Sequence, residues 1–241
     1  MKIRSVLIGV GVAIAIFLFL PFHLFNGKGV KGSGNIIKEN RQTESFHGVD
    51  IGSAFHVFLK KGPKQSIIIE TDDNLQALIK LKVEDGILDV ETKKSIINPK
   101  VMNIYLVSPQ IDNIELSGAC KMESDDRYEM KKMTLDLSGA SRLDFHLKTK
   151  KLNMEISGAA KVILDGYAED INVDASGASH VKLGDLEVKT ALVDISGASD
   201  INLNVAESIK GECSGASHLS YGGGSALVEV ETSGAASISK E

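Results

Sequence analysis

The tripeptide Ser-Gly-Ala recurs seven times from residue 117 onward, and this repeat constrains the fold more than any other feature of the sequence. The intervals between successive serines are 21, 19, 19, 20, 18 and 19 residues. A near-constant period of this length is typical of architectures in which each copy stacks on its neighbours. We interpret the repeated serines and glycines as structural corners: Ser117, Gly118, Ser138, Gly139, Ser157, Gly158, Ser176, Gly177, Ser196, Gly197, Ser214, Gly215, Ser233 and Gly234.

The residues that flank each corner alternate between apolar and polar. Apolar side chains lie mostly five, three and one residues before the serine, as in Leu152, Met154 and Ile156, and the fifth residue after it is always apolar. This period of two predicts a strand on each side of the corner. Because about 19 residues are too few for a crossover helix, the sequence predicts an all-β fold, a single-stranded parallel β-helix (β-solenoid) with about 19 residues per coil.

Each corner residue has an expected structural role. The glycine supplies a backbone geometry that other residues rarely adopt, and the alanine methyl group fits where the wall bends inward. The serine hydroxyl bonds to unpaired backbone groups or to the serine of the next coil. A catalytic role is not expected, because seven equivalent serines cannot each have a general base.

A carboxylate stands two residues before every corner serine. Stacking would bring these side chains, which point outward, into one column with a spacing of about 4.8 Å. Two interpretations remain open: a solvated charged face that prevents edge aggregation, or a face that binds a ligand or a cation. The seven residues are Glu115, Asp136, Glu155, Asp174, Asp194, Glu212 and Glu231.

A second outward column lies four residues after each serine, and its members are basic at first and mixed later. Three successive members, His180, Asp200 and His218, superficially suggest a metal site. We do not predict one, because the group lacks a third strong metal ligand. We therefore predict no catalytic, cofactor-binding or metal-binding residues, and no cofactor. The full column is Lys121, Arg142, Lys161, His180, Asp200, His218 and Ser237.

Composition narrows the classes of partner. The net charge of −5 argues against nucleic acid, which requires a clustered basic face. The two cysteines, Cys120 and Cys213, are separated by five coils, or roughly 24 Å, and are expected to be free thiols in slots for small residues.

The chain divides into four segments in this interpretation. Residues 1–25 contain an uncharged run at 5–25 that suits either a retained membrane anchor or a cleaved signal segment. Residues 26–34 are predicted to be a flexible Gly-rich stalk, 35–110 the irregular β-rich N-terminal part of the solenoid, and 111–241 the seven Ser-Gly-Ala coils. The protein is thus expected to be extracytoplasmic, in the periplasm or at the cell surface, and the C-terminal sheet edge could pair with another subunit.

The sequence resembles the head GIN domain family of autotransporter adhesins, also described as a domain of unknown function. The matching residues, over roughly 38 to 220 or beyond, are Arg41, Phe46, Gly48-Val49, Asp73-Asn74-Leu75, Asp85-Gly86 with Leu88, Ser108-Pro109 and the seven corners. The resemblance implies a right-handed β-helical, extracytoplasmic domain.

The favoured function is therefore a non-enzymatic, adhesin-like protein of the cell envelope that binds a glycan or another envelope protein. A column in which like side chains repeat from coil to coil is better suited to an extended ligand than to a compact one. Two alternatives remain: a passive structural or sensory ectodomain of a membrane protein, and an enzyme that acts on polysaccharides. The last would need a local acid pair in one cleft, whereas the carboxylates of the repeat are spread evenly.

Overall fold

The computed structural model describes residues 29–224 and 227–241, in which strands dominate and the one helix is a short 3-10 turn at Gln76–Leu78. The first ten strands precede or begin the first Ser-Gly-Ala coil: β1 (Val30–Lys31), β2 (Ile36–Arg41), β3 (Gly48–Ile51), β4 (His56–Lys61), β5 (Ser66–Asp72), β6 (Ile79–Glu84), β7 (Ile87–Thr92), β8 (Ile96–Ile97), β9 (Met102–Ser108) and β10 (Asn113–Leu116). Eight more follow: β11 (Lys121–Leu137), β12 (Arg142–Ile156), β13 (Lys161–Ala175), β14 (His180–Ile195), β15 (Asp200–Cys213), β16 (His218–Gly222), β17 (Leu227–Thr232) and β18 (Ser237–Lys240).

The five long strands β11 to β15 lie side by side in parallel, in the register that the repeat predicts. Leu152 of β12 pairs with Ile171 of β13, and Ile171 pairs with Ala191 of β14. Every second side chain points inward and is buried, so a single apolar core runs along the stack. The prediction of an all-β solenoid with about seven turns and a period near 19 is confirmed.

The corners are held from coil to coil by backbone hydrogen bonds. At one corner the amide of Ser157 donates to the carbonyl oxygen of Leu137 at 2.8 Å, and the amide of Ala159 donates to that of Gly139 at 2.7 Å. The corner glycine has a positive φ, +78° at Gly158, and a Cβ there would lie 2.5 Å from the Gly139 oxygen. Glycine is therefore required at this position for two reasons: its backbone conformation and the close approach of the neighbouring coil.

One expectation for the corner, the tight inward position of its alanine, is wrong. The corner alanine is exposed, as at Ala159, and the small buried side chain lies one residue later, as at Ala160. In four coils this later position holds a buried serine, and the Ser179 hydroxyl donates to that of Ser199 at 2.9 Å. Hydroxyl contacts between coils thus include these buried serines, and the corner serine Ser214 also donates to the Ile195 carbonyl oxygen of the preceding coil at 3.5 Å.

An eighth corner, which lacks the Ser-Gly-Ala order, occurs at residues 52–54. Its order is Gly-Ser-Ala, so Ser53 takes the position of the glycine and has a φ of +74°. The amide of Ser117 donates to the Ile51 oxygen and that of Ala119 to the Ser53 oxygen, as in the later corners. Strands β3 and β4 therefore form a complete coil beneath the first Ser-Gly-Ala coil.

The chain order and the spatial order differ in this N-terminal part. Strand β3 lies between β7 and β10, and β4 lies between β9 and β11, with parallel pairing throughout. The coil formed first in the sequence is thus enclosed between coils formed by later segments. Beyond it, β5, β6 and β2 add antiparallel strands that cap this end of the stack, and a hairpin turn at residues 84–86 joins β6 to β7.

Residues 29–35 are attached to this cap, which differs from the flexible stalk predicted for 26–34. Strand β1 pairs with β8, and the Gly34 amide donates to the carboxylate of Asp72 at 2.5 Å. The Lys100 amide donates to the same buried carboxylate at 2.8 Å. Burial raises the pKa of Asp72, but the backbone hydrogen bonds outweigh it and hold that pKa below its ordinary value.

Replacing Asp72 with Asn is expected to release residues 30–35 from the cap. The neutral amide loses charge-assisted hydrogen bonds of about 1.5–3 kcal/mol, so amide exchange in 30–35 should accelerate roughly tenfold or more, as measured by hydrogen exchange. Because the folded-state pKa is lowered, the wild-type advantage should be present above about pH 4 and disappear as the pH falls through that lowered pKa. Unchanged exchange at pH 7 would show that the carboxylate does not hold the segment.

The described residues contain no helix with the length and apolarity of a membrane span. The anchor or signal segment predicted within residues 1–25 lies outside the described residues. At the other end, β17 and β18 pair with β15 and β16, respectively, and Leu227 and Val228 are 41% and 37% exposed. Pairing of this edge with another subunit stays a prediction.

Candidate binding face

The seven predicted carboxylates form one continuous column, named here the acid column. Each pairs in register with the next, as Asp136 with Glu155 and Glu155 with Asp174. The structure extends the column by two residues of the N-terminal coils, since Asp50 pairs with Glu115 on one side and with Asp89 on the other. The nine members are Asp89, Asp50, Glu115, Asp136, Glu155, Asp174, Asp194, Glu212 and Glu231.

The acid column points outward because its neighbours in sequence point inward. In β12, Met154 and Ile156 are buried while Glu155 between them is exposed. Neighbouring carboxylates at the parallel spacing of about 4.8 Å repel by roughly 0.9 kcal/mol per pair in water. The fold therefore carries a repeated electrostatic cost along this face.

No basic side chain of the described residues offsets that cost at close range. Within residues 29–224 and 227–241, no Lys, Arg or His nitrogen lies within 4.0 Å of an acid-column carboxylate. Carboxylates elsewhere do have such partners, for example Glu229 with Lys210 at 2.8 Å. The acid column thus has no direct ion-pair partner among the described residues, and the only basic charges that lower the pKa of Asp89, those of Lys80 and Lys82, act from a longer distance.

The pKa values of three column members reflect this environment. Burial, followed by the charges of Glu115, Asp89 and Asp136, raises the pKa of Asp50. Burial and Glu115 raise the pKa of Asp136, and burial with nearby Glu91 and Glu84 raises that of Asp89. Each raised pKa means that the folded state disfavours the charged carboxylate.

A polar and partly apolar groove runs beside the acid column. Its next column contains Asn113, Asn153 and Asn172; the Asn113 amide donates to Glu115 at 2.9 Å, and that of Asn172 donates to Asn153 at 3.4 Å. Leu192 continues this column and is 54% exposed. The groove of about 440 Å³ therefore combines carboxylates, amides and an exposed apolar side chain.

Replacing Asp136 with Asn is expected to stabilise the protein at neutral pH. Removing one charge relieves repulsion of up to about 1 kcal/mol in water, so the unfolding midpoint in urea should rise at pH 7. A raised folded-state pKa costs stability only above the pH at which the unfolded carboxylate ionises, so the difference should vanish below about pH 4. Asp185→Asn, at an exposed position outside the column, is the control. A less stable Asp136→Asn protein at pH 7 would contradict this electrostatic account.

The second predicted column also stacks in register, and several of its members make local side-chain contacts. Lys121 pairs with Glu123, Arg142 lies 3.9 Å from Asp144, and His180 contacts Asp200 at 3.0 Å. His218 bonds instead to the hydroxyl of Ser237 at 2.8 Å. Among the described residues, no group of three His, Cys, Asp or Glu side chains is arranged to hold a metal ion.

Both cysteines are buried free thiols, and burial raises the pKa of each to about 11. Cys120 occupies the small buried slot after the corner, where later coils place Ser141 and Ala160. Cys213 lies where neighbouring coils place Ile195 and Ala175, so that slot also accepts large side chains. The thiols pack as core residues and are poor nucleophiles.

Comparison with known proteins supports the fold. A family model described as "Putative auto-transporter adhesin, head GIN domain" matches residues 45–225. No curated protein matches the sequence.

Several solved structures share the architecture. A putative adhesin from Bacteroides fragilis NCTC 9343 has 23% identity and a TM-score of 0.84, with 88% of this chain and 100% of that chain covered. A putative adhesin from Parabacteroides distasonis ATCC 8503 has 14% identity and a TM-score of 0.76, over 88% and 100% of the two chains. A putative lipid binding protein from the same strain has 14% identity and a TM-score of 0.73, over 89% and 100%. At these identities the similarity shows the fold alone.

Proposed function

The chain belongs to the family described as "Putative auto-transporter adhesin, head GIN domain", and from this premise we propose that it is a non-enzymatic protein of the cell envelope whose solenoid surface binds an extended ligand, a glycan or another protein. In this proposal the segment at residues 5–25 directs the solenoid across the inner membrane, as a retained anchor or as a signal. The solenoid then lies in the periplasm or at the cell surface.

The acid column is the observation that carries the proposal. Nine carboxylates lie in register on neighbouring strands, and no described basic side chain lies within 4.0 Å of them. Such a ladder matches a ligand that repeats its own groups along its length, because each coil offers the same contact. A ligand that brings positive charge or bridging cations would also remove the repulsion within the column.

The test combines a search for the ligand with a matched pair of variants. The full-length chain is screened on a glycan array and crosslinked in intact envelopes, and protease shaving of whole cells reports surface exposure. The affinity of any ligand found is then measured for the unchanged chain and for the column variant Glu155→Gln/Asp174→Asn/Asp194→Asn. We expect the affinity to fall at least tenfold, since three adjacent contacts are lost.

The control variant removes the same number of negative charges elsewhere. Asp185→Asn/Glu187→Gln/Glu207→Gln changes exposed residues near the bend between the two halves of a coil, and it should leave the affinity within about twofold. Equal losses in the two variants would show that only net charge matters. The absence of any glycan ligand and of any crosslinked envelope partner would contradict the binding function and favour a passive ectodomain.

A further inference from the structure

The first described residues are held against the cap of the solenoid. Strand β1 pairs in parallel with β8, so that the Val30 amide donates to the Ser95 carbonyl oxygen at 2.9 Å. The Gly32 amide likewise donates to the carbonyl oxygen of Ile97 at 3.2 Å. The Ile97 side chain packs against the backbone of Gly29. The chain is therefore fixed to the folded domain from Gly29 onward.

The uncharged run at residues 5–25 ends only four residues before this attachment begins. That run has the length of a membrane span. The four Cα–Cα steps from Phe25 to Gly29 extend over at most about 14 Å. If the run is retained as an anchor, the cap therefore lies within about 14 Å of the point at which the chain leaves the bilayer.

The surface formed by the two paired segments is basic. Residues 29–34 and 92–100 contain no acidic residue and four exposed lysines, which are Lys31, Lys93, Lys94 and Lys100. We name these four lysines the basic patch. Among the described residues, no carboxylate oxygen lies within 4.0 Å of any of their ammonium nitrogens. Their charges are thus available to a partner outside the chain.

Two carboxylates contact the same segments, but both accept hydrogen bonds from uncharged groups there. Asp72 is buried and accepts from the backbone amides of Gly34 and Lys100 at 2.5 and 2.8 Å. Asp73 accepts from the hydroxyl of Ser33 at 2.5 Å. With both carboxylates counted, the region keeps a formal charge of +2.

The charge of the whole chain is distributed unevenly along the stack. Residues 29–110 carry 11 basic and 10 acidic side chains, for a formal net charge of +1. Residues 111–241 carry 13 basic and 22 acidic side chains, for a formal net charge of −9. An anionic surface therefore attracts the basic patch and repels the Ser-Gly-Ala coils, which favours the cap end as the end that faces such a surface.

We propose that the basic patch contacts the anionic phospholipid headgroups of the membrane in which residues 5–25 are anchored. The cap end then rests on the bilayer, and the acid column extends away from it. From Asp89 to Glu231 the column spans eight coil-to-coil steps, or about 38 Å at the parallel spacing. This inference rests on the envelope location and the retained anchor in the proposed function, but not on ligand binding by the acid column.

The experiment compares how closely two spin labels approach the lipid headgroups. The full-length chain with Cys120→Ser and Cys213→Ala carries one label, either at exposed position 95 beside the basic patch or at exposed position 235 in the last coil. It is reconstituted in vesicles of phosphatidylcholine and phosphatidylglycerol that contain a nickel-chelating lipid. Collisions of the label with the nickel headgroup, measured by power saturation in electron paramagnetic resonance, should be at least about fivefold more frequent at position 95 than at position 235.

A matched pair of variants separates the effect of the lysines from that of the anchor. Lys31→Gln/Lys94→Gln/Lys100→Gln should lower the collisions at position 95 at least about threefold, because each lysine beside an anionic surface contributes about fivefold to the attraction. Vesicles of phosphatidylcholine alone should give the same loss. The control replaces three exposed lysines of the coils and should leave the collisions within about twofold: Lys131→Gln/Lys150→Gln/Lys182→Gln. Circular dichroism establishes that each variant is folded.

Three outcomes would overturn the inference. One is an equal collision frequency at positions 95 and 235, which would show that the cap end does not rest on the bilayer. A second is an unchanged frequency at position 95 in the patch variant or in vesicles without phosphatidylglycerol. A third is a mature chain in native envelopes that begins after residue 25, as measured by mass spectrometry. The glycan array and the column variant test the acid column alone, so the two proposals fail separately.

Discussion

Replacing a corner glycine with alanine is expected to lower the free energy of unfolding by about 3 kcal/mol or more. Gly177 has a φ of +86°, and a Cβ there would lie 2.4 Å from the carbonyl oxygen of Gly158 in the preceding coil. The strained backbone costs about 1–3 kcal/mol, and the coils must also separate to relieve a clash of comparable cost. Urea denaturation of Gly177→Ala, followed by circular dichroism, measures the loss.

The control lies one residue away in the same corner. Ala178 is exposed, so Ala178→Ser should change the free energy of unfolding by less than about 0.5 kcal/mol. A Gly177→Ala protein as stable as this control would mean that neighbouring corners are not in contact.

Replacing Phe145 with alanine is expected to cost about 3–5 kcal/mol, the range for removing a fully buried aromatic ring. Phe145 is 0% exposed, and its ring stacks on Tyr128 of the preceding strand with centres 5.3 Å apart. Adjacent coils hold their rungs in fixed register, so the wall cannot collapse into the cavity. The difference in urea midpoint, multiplied by the denaturant slope, gives the change.

Leu192→Ala provides the comparison for Phe145→Ala. Leu192 lies in the same solenoid but is 54% exposed, so its truncation should alter the free energy of unfolding by less than about 1 kcal/mol. If the two truncations had similar effects, Phe145 would not lie in a continuous core.

The register of the regular coils could be predicted from the sequence because identical positions recur at nearly identical intervals. Leu152, Ile171 and Ala191 occupy the same offset from a corner and are indeed neighbours in three adjacent strands. The same reasoning placed seven carboxylates in one column. Period two decides which side chains face the core, and the repeat decides which residues stack.

The N-terminal coils could not be predicted in this way. The corner at residues 52–54 has the order Gly-Ser-Ala, and a left-handed serine at Ser53 replaces the expected glycine. The coil of β3 and β4 lies between β7–β9 and β10–β11, contacts that span long stretches of sequence without periodicity. Asp50 and Asp89 therefore join the acid column without any sequence signal at the repeat spacing.

The bulge at residues 124–126 is indicated by the length of the first repeat interval, but only the structure shows its position. The 21-residue first interval shows that two residues are added in that coil, but it does not show where. The paired strands locate them at residues 124–126, directly beside Phe58. The burial of Ser141 and Ala160 one residue after the corner alanine was not predicted, because the exposed corner alanine was expected to fill the tight position.

The direct test of the stacked-coil account is a series of distances between spin labels on exposed corner alanines. Cys120→Ser and Cys213→Ala remove the native thiols, since serine and alanine occupy the equivalent positions at Ser141 and Ala175. Labels are then placed in the full-length chain at position 119 together with 198, 216 or 235, and measured by double electron–electron resonance. Successive coils at about 4.8 Å predict distances near 19, 24 and 29 Å, which increase linearly with coil number. Distances that do not increase with each added coil would contradict the stack and the continuous acid column with it.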